Sequence, residues 1–312
     1  MTPGTASDPS GGILYVVATP IGNLGDVTLR ALDVLRSVPL IAAEDTRITR
    51  RLLVRHGIDT RLTSHHARSG PGRLELLLDH LRGGADLAVV TDAGTPGVSD
   101  PGEGLVAAWA AERGRVVPIP GPSAVVAAIA AAGIAGPRWS FEGFLPRSGR
   151  ERRTRLDRIA DDDRSAVLYE APGRVAATLA DLVAACGAER PAAVCRELTK
   201  LHETIERGTL GALAGAAADG RIPARGEFVI IVGPVAGTGS GRARGARASS
   251  AAATGSSATD PRASEPAVAL SAARAEVERL VAAGVARGEA ARRVSAATGL
   301  PRRRLYGVSA GR

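Results

Sequence analysis

Of the 40 basic residues in this chain, 39 are arginine and one, Lys200, is lysine; Asn23 is the single asparagine, and there is no glutamine. Usage drifted that far toward Ala, Gly and Arg marks Lys200 and Asn23 as places where the common substitute fails chemically. Arginine stays protonated, whereas a buried lysine shifts its pKa into a working range. Lys200 lies in the string Arg196-Glu197-Leu198-Thr199-Lys200-Leu201-His202-Glu203, so carboxylates surround it. Such a lysine takes up a proton or stabilises developing charge; the bland alternative is an ion pair with Glu203 or Glu206. His202 reads as a loop histidine sooner than as a base. The pair His65-His66 lacks carboxylates or cysteines at ligand spacing and reads as loop, so no metal is expected. Cys186 and Cys195 form no CxxC pair and read as plain buried thiols of a reduced compartment.

Three Gly/Pro loops are the other places where chemistry can sit: Thr19-Pro20-Ile21-Gly22-Asn23-Leu24-Gly25-Asp26, Ala93-Gly94-Thr95-Pro96-Gly97-Val98-Ser99-Asp100-Pro101-Gly102 and Gly121-Pro122-Ser123-Ala124. Glycines at 22, 97 and 121 let the backbone approach a ligand closely, and the prolines hold each loop in one shape. Singly, each is ordinary turn chemistry. Each nevertheless follows a short β-branched run: 13–19, 87–92 and 116–120. With a further run at 40–45 and helical patterns at 28–37, 46–56, 72–81, 101–113 and 122–132, the first part reads as βαβ architecture. Asp100 before Pro101 reads as the N-cap of the fourth helix. In such a sheet ligands bind beyond the carboxyl ends of the strands, where the three loops gather. No GxGxxG follows the first strand and no GxxxxGK[ST] occurs, which disfavours dehydrogenase and P-loop readings.

The segment 136–152 breaks the alternation and reads as a crossing into a second α/β domain. Strands are expected there at 165–170, 192–197 and 227–232, with helices at 150–160, 173–185 and 209–218. The organisation expected is an α/β domain over 12–136, a second over 137–233, a flexible Gly/Ala/Ser/Thr-rich linker over 234–268 and a basic helical module over 269–312. Residues 1–233 hold 27 basic and 27 acidic residues, so the tail carries the whole net charge of +8. That asymmetry points to an acidic partner, nucleic acid first. In the tail, Leu270 to Val281 and Ala290 to Val294 keep helical spacing. A turn at Thr298-Gly299-Leu300 and a third helix with Arg302, Arg303, Arg304 and Tyr306 would complete a helix-turn-helix-like unit. No apolar run reaches the roughly 18 residues of a membrane span, and no basic n-region precedes an apolar stretch. A cytoplasmic protein with no membrane partner is expected.

Seven strings, LYVVATPIGNLGDVTLRAL, IAAEDTR, TDAGTPGVSDPG, PIPGPSA, FEGFLP, RELTKLHE and GEFVIIVG, resemble the tetrapyrrole methylase superfamily. Within it they are similar to the branch that 2′-O-methylates a cytidine of 16S rRNA. The resemblance spans roughly 13–233 in order, and the helical tail is similar to that branch's small extra domain; the long linker is the main departure. What the resemblance implies is a two-domain α/β methyltransferase that holds S-adenosylmethionine between its domains, acts on the small ribosomal subunit and forms a homodimer. By motif position the cofactor meets Pro20, Gly22, the Thr95-Pro96-Gly97-Val98 loop and Ser123-Ala124, with Tyr169-Glu170-Ala171 and Glu227 closing the site. The superfamily's Gly-Asp-Pro reads Gly94-Thr95-Pro96 here, a hydroxyl in place of a carboxylate. Methyl transfer to a ribose hydroxyl needs positioning and help with the proton, and Lys200 with Glu197 are the catalytic candidates. Two other readings compete: a methylase acting on a tetrapyrrole carbon, against which the located charge argues, and a nucleic-acid-binding protein with a degenerate enzyme fold, against which the intact loops and Lys200 argue.

Overall fold

A computed structural model describes residues 11–235 and 265–298. They form two compact units, one holding two β-sheets and the other holding the two C-terminal helices.

In the first sheet, β1 (Leu14–Val17), β2 (Leu40–Ala43), β3 (Leu62–Ser64), β4 (Leu87–Val90) and β5 (Val116–Ile119) run in the order β3-β2-β4-β1-β5. Every pairing is parallel. Successive residues of a strand face opposite sides, so Ala88 and Val90 of β4 join α1 (Leu29–Ser37) and α2 (Thr46–Arg55) in one core. Leu87 and Val89 join α3 (Pro71–Arg82) and α4 (Glu103–Ala111) in the other. Burial on both faces is why these strands read as unbroken apolar runs. All five carboxyl ends lie along one edge, and the Gly/Pro loops leave from the neighbouring strands β4, β1 and β5.

The helix expected from Pro101 begins instead at Glu103, with Gly102 as its N-cap. Gly102 has φ +126°, a conformation that no helical residue takes and that side chains disfavour. The chain therefore turns before the helix starts, and Asp100 makes no cap.

The second sheet is mixed: β6 (Trp139–Phe144), β7 (Ser165–Glu170), β8 (Pro191–Arg196), β9 (Thr204–Thr209) and β10 (Phe228–Val232) in the order β6-β7-β10-β8-β9. Only β6–β7 is parallel. Ala166 and Leu168, Ala192 and Val194, Phe228, Ile230 and Val232 face α6 (Gly149–Asp161), α7 (Val175–Cys186) and α8 (Leu210–Ala218). The alternate residues, Val167, Ala193, Cys195, Val229 and Ile231, face Val125, Ala128 and Ala132 of α5 (Ala124–Ala132). α5 thus continues the first sheet's chain while covering the second sheet's free face, and Ile21 and Leu198 join the same core.

In the C-terminal unit, α9 (Glu265–Ala282) and α10 (Arg287–Thr298) pack through Ala273, Val277, Ala290, Ala291 and Val294. α10 is less basic than its arginines suggest, since Arg292 and Arg293 both pair with Glu289, while Arg287 reaches Glu278. Residues 265–298 hold five arginines against four glutamates. Most of the tail's excess charge therefore belongs to residues outside the described ones, as do Gly299-Leu300 of the expected turn, the expected third helix and most of the expected linker.

Candidate active site

The three loops are stitched to one another at the sheet's carboxyl edge. The Thr19 amide donates to the Gly94 carbonyl at 2.8 Å and the Gly94 amide returns the bond at 3.1 Å. The Thr95 hydroxyl donates to the Pro122 carbonyl at 3.3 Å. The hydroxyl that stands where the superfamily places a carboxylate therefore holds two loops together. Pro20 and Pro96 are buried within this rim.

Beyond the rim, a cavity of about 300 Å³ opens between the loops and the second sheet. Its apolar lining includes Ile21, Val98, Ala124, Phe144, Leu198 and Val229; Thr95, Ser99, Asp100, Ser123, Tyr169 and Glu227 supply polar groups. Six of the expected site residues, Thr95, Val98, Ser123, Ala124, Tyr169 and Glu227, line the cavity. Pro20, Gly22, Pro96, Gly97, Glu197 and Lys200 are not among the lining residues. Gly22 approaches a protein side chain: a Cβ there would lie 2.5 Å from Lys200 Cγ and 2.9 Å from Cε. Gly121 lies against Ala18, and Gly97 turns the loop with φ +82°.

Lys200 occupies the loop between β8 and β9. Its ammonium donates to Glu197 Oε1 at 2.9 Å and to Glu227 Oε2 at 2.8 Å. Glu197 Oε1 also accepts the Glu227 amide at 2.9 Å. Glu203, expected as the ion-pair partner, instead accepts the Thr199 amide at 2.6 Å. The reason is local: Glu197 and Thr199 take φ values of +53° and +67°, and the doubled turn folds the Lys200 side chain inward. Non-glycine residues in this region persist only where surroundings enforce it, and they gather at functional sites. The Asn23 amide donates to Thr199 Oγ1 at 3.2 Å, while the Asn23 side chain caps Gly25. The loop after β1 thus meets the loop after β8 at two points, Asn23 on Thr199 and Gly22 against the Lys200 stem.

Burial lowers the Lys200 pKa, but the bonds to Glu227 and Glu197 outweigh it and hold the ammonium above its ordinary value. Its hydrogen bond likewise holds Glu197 below the usual carboxylate range. Doubly paired in this way, the ammonium is held in its charged form. His202 is exposed, and its carbonyl accepts from Arg196.

The residue missed from sequence is Asp100, taken for a helix cap. It lines the cavity and has no hydrogen-bond or ion-pair partner among the described residues. Burial, then the charges of Glu44 and Asp92, push its carboxyl up to about 6. Burial and Asp100 in turn push the Tyr169 hydroxyl up to about 12. Cys195, also on the wall, is pushed up to about 11 by burial. Proline after an acidic residue gave the cap signal; only the glycine one position further, with its φ, reveals otherwise. His65 and His66 follow β3, where the His65 amide donates to the Ala43 carbonyl and the His66 amide to Ser69 Oγ. Among the described residues, no group of three or more His, Cys, Asp or Glu stands close enough to hold a metal ion.

The family model for tetrapyrrole (corrin/porphyrin) methylases matches residues 13–214. The curated ribosomal RNA small subunit methyltransferase I of Synechocystis sp. is 42% identical over 298 residues, covering 96% of this chain and 97% of its own. Its namesake from Xylella fastidiosa is 48% identical over 221 residues, 71% of this chain and 81% of its own. Among solved structures, uroporphyrin-III C-methyltransferase of Thermus thermophilus complexed with S-adenyl homocysteine superposes with a TM-score of 0.52 at 18% identity, covering 71% of this chain and 97% of that one. That last likeness concerns the fold alone.

Proposed function

The chain belongs to the tetrapyrrole (corrin/porphyrin) methylase family, and from that premise we propose that it is an S-adenosylmethionine-dependent enzyme that methylates the ribose 2′-hydroxyl of a cytidine in 16S rRNA of the small ribosomal subunit. The observation that carries this reading is the 42% identity to a ribosomal RNA small subunit methyltransferase I along nearly the full length of both chains.

The cavity suits the cofactor. An adenosyl sulfonium presents an apolar ring, hydroxyls and cationic groups, and the wall offers apolar side chains beside Thr95, Ser123 and Glu227. Thr95, Val98, Ser123, Ala124, Tyr169 and Glu227 would hold it, with Pro20, Gly22, Pro96 and Gly97 shaping the loops behind. When bound, it supplies a methyl group on positively charged sulfur. The protein's part is positioning, the largest lever for an in-line displacement, and exclusion of water by the apolar wall. Lys200 holds the Glu227 carboxylate and Glu197 the Glu227 amide, which makes them positioning residues.

Transfer of label from S-adenosylmethionine tests the reading, using unmethylated small subunits, naked rRNA and a precorrin mixture as acceptors. Label should appear as 2′-O-methylcytidine with the ribosomal acceptors; label confined to the tetrapyrrole would overturn it. A homodimer in the cytoplasm is the setting the family resemblance supports, and no helix among the described residues is long and apolar enough to cross a membrane.

The tail is read as an RNA-binding aid that leaves the cofactor cavity alone. Deletion of 234–312 keeps Gly233, whose carbonyl accepts from Arg190 and whose amide donates to Pro191. The truncated protein should bind S-adenosylmethionine as before. Its affinity for rRNA should fall, with a shallower salt dependence, since each lost phosphate contact removes about 0.7–0.9 from the log–log slope. An unchanged slope in filter binding would refute the role.

A further inference from the structure

We propose that Asp100 is the general base of the reaction, the group that receives the proton of the ribose hydroxyl as the methyl group is transferred. This rests on the reading above and goes beyond it by naming a residue and an atom. The ionisable side chains on the cavity wall are Asp100, Tyr169, Glu170, Cys195 and Glu227. Tyr169 and Cys195 keep their protons near neutrality. Glu170 is buried, its two oxygens taken by Thr178 Oγ1 and the Ala171 amide. Glu227 is tied to Lys200. Asp100 alone combines a place on the wall with a carboxyl that no donor occupies.

The loop accounts for that freedom. Ser99 has φ +65° and Gly102 φ +126°, so the chain around Asp100 is held out of the helix that would otherwise engage its carboxyl. Its ordinary structural role, capping α4, is taken by Gly102.

In the step itself, the 2′-oxygen forms a bond to the methyl carbon while the carbon–sulfur electron pair stays with sulfur. The hydroxyl proton moves to an Asp100 carboxylate oxygen and leaves to solvent afterwards. Charge balances: the positive charge lost at sulfur reappears as the proton on the carboxylate. A base with its midpoint near 6 is mostly ionised at neutral pH and still basic enough to be useful. Beside burial, Glu44 and Asp92 at the sheet edge are the charged groups acting on it, and it acts in turn on Tyr169 of β7. The two carboxylates raise its midpoint while charged, so the acid limb of the rate should be broad.

The test uses the full chain and unmethylated small subunits. Asp100→Asn should lower kcat by roughly 10²–10⁴-fold, leave calorimetric affinity for S-adenosylmethionine unchanged, and abolish the acid limb; Asp100→Glu should restore part of the rate. Independently of activity, the carboxyl carbon resonance that disappears in Asp100→Asn should titrate near 6 in the wild type. Titration near the ordinary aspartate value of about 4, or an Asp100→Asn enzyme with normal kcat, would overturn the assignment. Loss of cofactor binding in that variant would make Asp100 a ligand instead, also against it. A wild type that makes no 2′-O-methylcytidine would remove the functional reading itself, whereas the other outcomes leave that reading standing.

Discussion

Lys200→Ala is expected to lower turnover on saturating small subunits by about 10²-fold or more, the scale of a misplaced reacting group. The ammonium is the cation between Glu197 and Glu227. Without it two carboxylates face each other, and Glu227, on the cavity wall, swings away. Lys200→Arg should rescue little. The lysine stem passes so close to Gly22 that an added Cβ there would lie 2.5 Å away, and a planar guanidinium cannot take the same path. Gly22→Val should reach the same loss from the opposite side by displacing the stem. Because Glu227 is affected, cofactor affinity should fall with the rate, unlike the pattern expected at Asp100. An alanine variant turning over at the wild-type rate would end the argument, and full rescue by arginine would reduce the role to bare charge.

Glu170→Ala should be the most damaging single change to stability, costing about 3 kcal/mol or more, the scale of removing one partner from a buried ion pair. The Glu170 carboxylate is fully enclosed and receives Thr178 Oγ1 at 2.5 Å, the Ala171 amide at 2.8 Å and Arg174 at 3.3 Å. Thr178 accepts from Arg152, which also binds Asp181 and the Pro146 carbonyl. Removing the carboxylate leaves the Ala171 amide just after β7 and the Thr178 hydroxyl on α7 without their acceptor. Urea unfolding would measure the loss, and a change below about 1 kcal/mol, no more than an ordinary hydrogen bond, would show that the network carries no such weight.

How far the sequence alone reached depended on where each signal is carried. Strands buried on both faces, such as β4 and β10, announce themselves by composition. β9 does not: Thr-Ile-Glu-Arg-Gly-Thr is an edge strand with one apolar residue, and its identity comes from pairing with β8. β6 was hidden by the register shift between Phe141 and Gly143, which breaks the alternation of a strand, and β3 is too short to show a period. At the site, rarity marks Lys200 and Asn23, but sequence proximity points only to Glu203 and Glu206 as partners of the lysine. Glu227, 27 residues away, became a partner because β10 lies between β7 and β8. Asp100 was lost because its local pattern fits a helix start, and only the turn at Gly102 separates the two readings.

The stitching of the loop rim has a thermodynamic consequence. With Thr19 laced to Gly94, Thr95 to Pro122 and Asn23 to Thr199, the loops of the wall brace one another through the protein's own bonds. Little backbone becomes ordered on binding, so the entropic penalty that accompanies loop folding is largely absent. The heat-capacity change should then reflect the apolar surface covered in the cavity alone, without the larger negative value of coupled folding. Plotted against temperature, the binding enthalpy of this protein should follow a shallow, straight line.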